Sequence, residues 1–176
     1  MARIQFYQGR IKAVQLEYGE AQAHLQQALR KAPEGKAAAF KLIAQKFLVV
    51  VELLMGEIPN RALFQHDNLK AYYEVVKAVR RGDLDKFREV LDEWGQVFEA
   101  DDTLSLILRL RHNVIKFGLR NINLSYSRIA LPDVMAKLGL QSLEETEAIC
   151  AKAIRDNVID ANINHEESFV RMKVGA

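Results

Sequence analysis

Apolar residues recur along this chain at steps of three and four, in separate blocks. That spacing gathers them on one side of a helix. The first hundred residues hold no other pattern. They predict helices over residues 3–17 and 20–31, broken near Gly19 and closed by Pro33. A third helix is predicted over 37–55, where Phe40, Ile43, Phe47, Val50 and Leu54 share a face. Leu48, Val51 and Leu53 widen that face, so burial nearly all round is expected. Gly56 and Pro59 stop it. A fourth helix follows over 68–81 on Leu69, Tyr73, Val76 and Val79. Gly82 and Asp83 supply a stop and a new N-cap. Leu84, Phe87, Leu91, Trp94 and Phe98 line a fifth.

In the first pair, Gly9, Ala21, Leu25, Ala28 and Pro33 hold the spacing of small and apolar positions in a tetratricopeptide-type (TPR) repeat. The bulky first-helix positions of that repeat are instead Gln5, Gln8 and Lys12. The pair is repeat-like, short of the consensus. Antiparallel helix pairs of this kind stack into a short solenoid, each burying its face against its neighbour.

At Asp101 the pattern changes. A long helix is predicted to about Asn121, with Leu104, Leu108, Ile115 and Leu119 on its apolar side. "SYSRIA" suits a short strand, and Leu131–Leu138 a short helix. Ser142 and Glu145 have the spacing of a capping box that opens the next helix. Two strands are then expected, Val158–Ile163 and Ser168–Lys173, around a polar turn at residues 164–167. Helix, strand, helix, helix, hairpin is the order of a winged helix. The expected fold is mainly α: a TPR-like helical-repeat body over 1–100, followed by a winged-helix part with a small antiparallel sheet over 101–176.

A winged helix that reads DNA presents basic and amide groups at the start of its second helix. Here that end is Ser142-Leu143-Glu144-Glu145-Thr146-Glu147, and the wing adds Glu166 and Glu167. Carboxylates facing phosphates remove the attraction that supplies nonspecific affinity. The shape is that of a DNA reader and the charge opposes it, so no DNA partner is expected. A candidate basic stripe lies elsewhere. Arg109, Lys116 and Arg120 are spaced along one face of the long helix, with Arg111 and His112 beside them. It reads either as a docking surface for an acidic partner or RNA, or as a solvated helix face.

The remaining totals narrow the chemistry. Net charge is +2, so no overall basic field points to nucleic acid. One cysteine, Cys150, excludes an internal disulfide framework and fits a reducing compartment. No signal core or membrane-length apolar run is seen. His24, His66, His112 and His165 are scattered, without metal-ligand spacing among themselves or to Cys150. There is no glycine-rich phosphate loop and no nucleophile elbow. Cys150 sits among small residues, as a buried thiol would. Trp94 and Phe98 read as core or as an aromatic groove. A non-enzyme without cofactor, metal or small-molecule substrate is expected.

A helical-repeat body fused to a winged helix resembles the PCI family, a module of the proteasome lid, the signalosome and a translation-initiation complex. The runs "GRIKAVQLEY", "ALRKAP", "KFLVVVELLMGEIPNR", "LRLRHNVIKFGLR", "LSYSRIAL" and "AKAIRDNVIDANINHE" are similar to the lid branch of that family, from about Gly9 to about Phe169. The resemblance implies a scaffold subunit of the proteasome regulatory particle, cytoplasmic and nuclear, serving ubiquitin-dependent degradation. It implies contacts with other lid subunits through the winged helix. The chain then reads as a PCI-containing fragment, since it lacks a large N-terminal region and ends before any terminal helix. The candidate interface is Ser127, Arg128 and Ile129 of the first strand with Val158, Ile159, Phe169 and Val170 of the hairpin. Those apolar side chains would either meet a neighbour or close the domain's own core. The alternative function is nucleic-acid binding through Arg109, Lys116 and Arg120.

Overall fold

The structure is a computed structural model, and it describes residues 1–32, 38–64 and 67–173. Pro33 and His66 lie outside the described residues. The chain forms two compact units, Met1–Lys77 with Val90–Leu110, and Ala78–Glu89 with Arg111 onward. Two helices, α4 (Lys70–Arg81) and α5 (Leu84–Ala100), contribute to both, so neither unit is one continuous stretch.

The helical-repeat unit begins with α1 (Ala2–Val14) and α2 (Tyr18–Lys31), an antiparallel pair. Gly9 makes their close approach possible. A Cβ there would stand 2.8 Å from Leu25 Cγ, and Leu25 is fully buried. Helix α3 (Ala38–Leu54) is the unit's apolar centre, with Phe47 to Val51 and Leu53 all buried. Its first turns are less enclosed than the sequence suggests, since Ile43 is exposed and Phe40 half-buried. Tyr72 of α4 is fully buried and meets Phe98 of α5 edge-on, 5.2 Å between ring centres. Phe98 is therefore core, and Trp94 is half-buried. The Tyr72 hydroxyl donates to Asp101 at 2.8 Å and lies 2.7 Å from the Thr103 hydroxyl. Lys46 donates to the same Asp101 oxygen at 3.0 Å. Burial and the Asp101 carboxylate push the Tyr72 phenol up, and the Thr103 hydrogen bond opposes them.

The long helix expected from Asp101 is broken. α6 covers Leu104–Leu108 and α7 covers Arg111–Ser125. At the join, Arg109 N bonds to Leu106 O and Leu110 N to Ile107 O, so the chain tightens into a three-residue turn before winding again. Asp102 (φ +59) ends α5 beforehand, with Thr103 N reaching back to Phe98 O.

The winged-helix unit holds α7, β1 (Arg128–Ala130), α8 (Leu131–Leu138), α9 (Leu143–Arg155), β2 (Ala161–Asn164) and β3 (Phe169–Met172). The expected element order is present. The sheet order is β1-β3-β2, both pairs antiparallel. The turn between α4 and α5 packs against α7 by direct backbone contact. A Cβ on Gly82 would lie 2.2 Å from Gly118 Cα, and one on Gly118 would lie 2.4 Å from Gly82 O. No side chain fits at this crossing.

Candidate protein-docking surface

The central strand of the sheet is β3, so β1 and β2 are both edges. Successive residues of an antiparallel strand turn their backbone groups to opposite sides. Lys173 N bonds to Asp160 O, which places Asn162 and Asn164 toward β3 and leaves Ala161 and Ile163 facing outward. On the other side Met172 N bonds to Ser127 O and Leu131 N to Ser168 O. Ile129 therefore faces β3, and the backbone of Arg128 faces out.

The candidate interface residues divide between surface and core. Ser127 and Arg128 are exposed, and the Arg128 guanidinium lies 3.7 Å from the Phe169 ring centre. Ile129, Ile159, Phe169 and Val170 are buried in the unit's own core. Val158 is half-buried. Val158 and Ile159 are not in a strand, because β2 begins at Ala161. The cause is the end of α9. Asn157 turns left-handed (φ +60), Asn157 N bonds to Ile154 O, and Val158 N bonds to Ala153 O at 2.9 Å. That helix-ending motif uses these residues before pairing can start.

The wing is tied to α9. His165 Nδ1 lies 2.6 Å from Glu147 Oε1, and Asn164 accepts from Glu167 N at 3.0 Å. Ser142 Oγ caps α9 by accepting from Glu145 N at 3.0 Å. The reciprocal half expected of a capping box is replaced, since Glu145 accepts from Arg111 at 2.9 Å. Glu144, Glu166 and Glu167 are exposed, so acidic side chains mark this face.

The basic stripe does not lie on one helix. Arg109 belongs to the helical-repeat unit, where it donates to Ala13 O at 3.2 Å. Arg111 pairs with Glu145. Arg120 is exposed on α7. His112 and Lys116 instead border a groove of about 200 Å³ between α7 and α9, with Lys152 and Asp156 opposite and Ile115 and Ile149 in its floor. Partial burial lowers the His112 pKa, Lys116 and Lys152 lower it further, and Asp156 opposes them. Sequence reading missed this groove because its two walls are distant in the chain. The i, i+4 pair Lys152–Asp156 was the signal at hand.

No cluster of three metal-ligating side chains occurs among the described residues. Cys150 is buried, and burial pushes its thiol up to about 11, with Glu147 adding to the rise. A thiol so held is a poor nucleophile at neutral pH.

Two family models match successive parts of the chain. Residues 1–75 match the family described as PSMD3-like, N-terminal TPR repeats, and residues 91–174 match the PCI domain. The chain is a PCI-domain protein. The fold is mainly helical, TPR-like at the start, and ends in the three-stranded antiparallel sheet of the PCI domain. It is homologous over nearly its full length to relatives that include "Probable 26S proteasome non-ATPase regulatory subunit 3" of Drosophila melanogaster, 48% identical over 98% of this chain and 36% of the relative. The 26S proteasome non-ATPase regulatory subunit 3 homolog A of Arabidopsis thaliana is 49% identical over 97% of this chain and 36% of the relative. The 26S proteasome non-ATPase regulatory subunit 3 of Dictyostelium discoideum is 44% identical over 98% and 35%. The chain thus spans about a third of the length of the curated relatives it matches.

Proposed function

We propose that this PCI domain is a non-catalytic scaffold segment of the proteasome regulatory particle lid, holding neighbouring subunits together for ubiquitin-dependent degradation. The observation that carries the reading is identity near one half along almost the whole chain to proteins named as non-ATPase regulatory subunits. The division of its sequence into a helical-repeat part over 1–100 and a winged-helix part over 101–176 belongs to this reading, with α4 and α5 shared between the two compact units. No helix among the described residues is long and apolar enough to cross a membrane. A cytoplasmic and nuclear location accompanies this reading.

The proposed contact is the edge of the winged-helix sheet. Outward backbone groups of Arg128, Ala161 and Ile163 offer strand pairing to a neighbour. Ser127 and Arg128 add side-chain contact, while Ile129, Val158, Ile159, Phe169 and Val170 support the sheet from within. The carboxylates of α9 and the wing disfavour DNA at the same surface. Nucleic-acid binding has little to rest on, because Arg109 is engaged by Ala13 and Arg111 by Glu145.

Affinity capture from cell extract with the tagged chain, read by mass spectrometry, tests this. Recovery of regulatory-particle subunits is expected. Ile163→Pro removes an outward N–H without touching the β3 ladder, and Glu166→Lys reverses a wing charge. Each should lower recovery while circular dichroism and the thermal midpoint hold. Equal recovery with both variants, or recovery lost on nuclease treatment, would refute the proposal.

A further inference from the structure

The groove between α7 and α9 joins an apolar floor to unpaired positive charge. Ile115 and Leu119 of α7 and Ala153 of α9 are buried, and Ile149 is half-buried beside them. Lys116 borders one side and Lys152 the other, with His112 next to Lys116. Neither lysine makes an ion pair among the described residues. Arg111, the remaining cation of the lining, is held by Glu145 at 2.9 Å. Asp156 is the one carboxylate of the lining. Two free ammonium groups against one carboxylate leave a single positive charge over. His112 senses the same balance. Partial burial lowers its pKa, Lys116 and Lys152 lower it further, and Asp156 alone opposes them.

These features select a ligand class. An inorganic anion would satisfy the lysines and leave the floor facing water. A neutral apolar ligand would fill the floor and make nothing of the lysines. A nucleic-acid strand wants a longer row of cations and aromatic rings for its bases, and this lining holds no Phe, Tyr or Trp. The volume, about 200 Å³, is below the roughly 300–1,000 Å³ of pockets that take drug-sized molecules, so the ligand is short.

We propose that this groove binds a small monocarboxylate with an aliphatic body, its head between Lys116 and Lys152 and its chain along Ile115, Leu119 and Ile149. Charge-assisted hydrogen bonds from the two ammonium groups hold the head. The lysine stems lie along the apolar chain while their charged ends reach the carboxylate. A ligand of this size should reach a dissociation constant of about 0.1–1 mM. The site lies wholly within the winged-helix unit, and the inference does not depend on which subunits meet the sheet edge.

The test is a titration of the 176-residue chain with octanoate, read by methyl NMR of its isoleucines and by calorimetry. Shifts should saturate at Ile115 and Ile149 while the exposed Ile4 and Ile11 of α1 stay still. 1-Octanol has the same chain without the charge and should bind at least about fivefold more weakly. Lys116→Gln combined with Lys152→Gln should weaken octanoate about tenfold and leave 1-octanol unchanged. Asp156→Asn should tighten octanoate about two- to threefold, a gain that a damaged fold does not give. In the native chain the His112 ring should titrate at higher pH with octanoate bound, because a carboxylate favours the imidazolium. Equal binding of octanoate and 1-octanol, or unchanged octanoate affinity in the double variant, overturns the proposal, since apolar surface alone would then be the cause. Shifts confined to Ile4 and Ile11, or no shift by about 10 mM octanoate, overturn it as well.

Discussion

The helical-repeat unit leaves Met1, Ile4, Tyr7, Ile11, Val14 and Leu16 in solvent within one helix and its flanks, whereas the described part of the winged-helix unit leaves only Leu124, Tyr126 and Leu143. The second unit offers different material: two strand edges and a skin of carboxylates. The contrast follows from how each element satisfies its backbone. A helix bonds its own N–H and C=O groups, so it can recruit a neighbour only through side chains. A three-stranded sheet has two edges with groups to spare. One polypeptide therefore exposes two kinds of surface, an apolar helix face and open strand edges. Their interiors differ too. The first encloses a charged and hydroxylated cluster at Asp101, and the second brings backbones into contact at two glycines.

The largest effect is expected at that glycine crossing. Gly118→Ala should cost more than about 3 kcal/mol, because the new Cβ meets Gly82 O, which a side-chain shift cannot relieve. Gly95→Ala in α5 has open space around it and should gain up to about 1 kcal/mol. Urea midpoints of the two variants moving together would break the contrast.

Asp101→Ala probes the other interior. It strips Lys46 and Tyr72 of a shared acceptor at a site where both ion-pair side chains are mostly buried, 14% and 22% exposed. A loss of about 2–4 kcal/mol is expected in denaturant titration. Lys46→Met should cost less, since Asp101 keeps the Tyr72 hydroxyl. A loss under about 1 kcal/mol for Asp101→Ala would show the cluster to be dispensable.

Cys150 adds a pH signature to the winged-helix unit. Its folded pKa is about 11 against an ordinary 9.0, so the unfolded chain gives up this proton first. Stability from this group is intact below pH 9 and falls between pH 9 and 11, by up to about 2–3 kcal/mol. Chemical denaturation across that window should show the gap between the native chain and Cys150→Ala shifting against the native chain. A constant gap would mean the thiol ionises freely in the fold.

The smallest effect lies at the α9 cap. Ser142→Ala should lose about 1 kcal/mol and Ser142→Asp almost nothing, because the Oγ acceptor serves a single N–H. Thermal midpoints that treat both variants alike would exclude the cap as the reason.

Helix positions were legible wherever one apolar stripe stood alone, as in α2, α5 and α9. Ser142 was legible as a cap, because capping is a local matter of three residues. The partner of Glu145 was not, since Arg111 is 34 positions away. Val158 and Ile159 read as strand on composition, yet the left-handed turn at Asn157 assigned them to the helix end. Arg109 read as one of a stripe until the chain turned between α6 and α7 and gave it the Ala13 carbonyl, 96 positions distant.

The sequence alone determined the order of elements, the TPR-like start, the winged-helix close and the sign of charge on α9, because each depends on spacing within a few turns of chain. Tertiary structure decided which of the two apolar faces of α1 is covered, which strands became edges, and which cations were already engaged. Those outcomes depend on what distant segments bring alongside. A helix with Ile4 and Tyr7 on one side and Phe6 and Gly9 on the other is equally greasy both ways, and only packing separates core from surface.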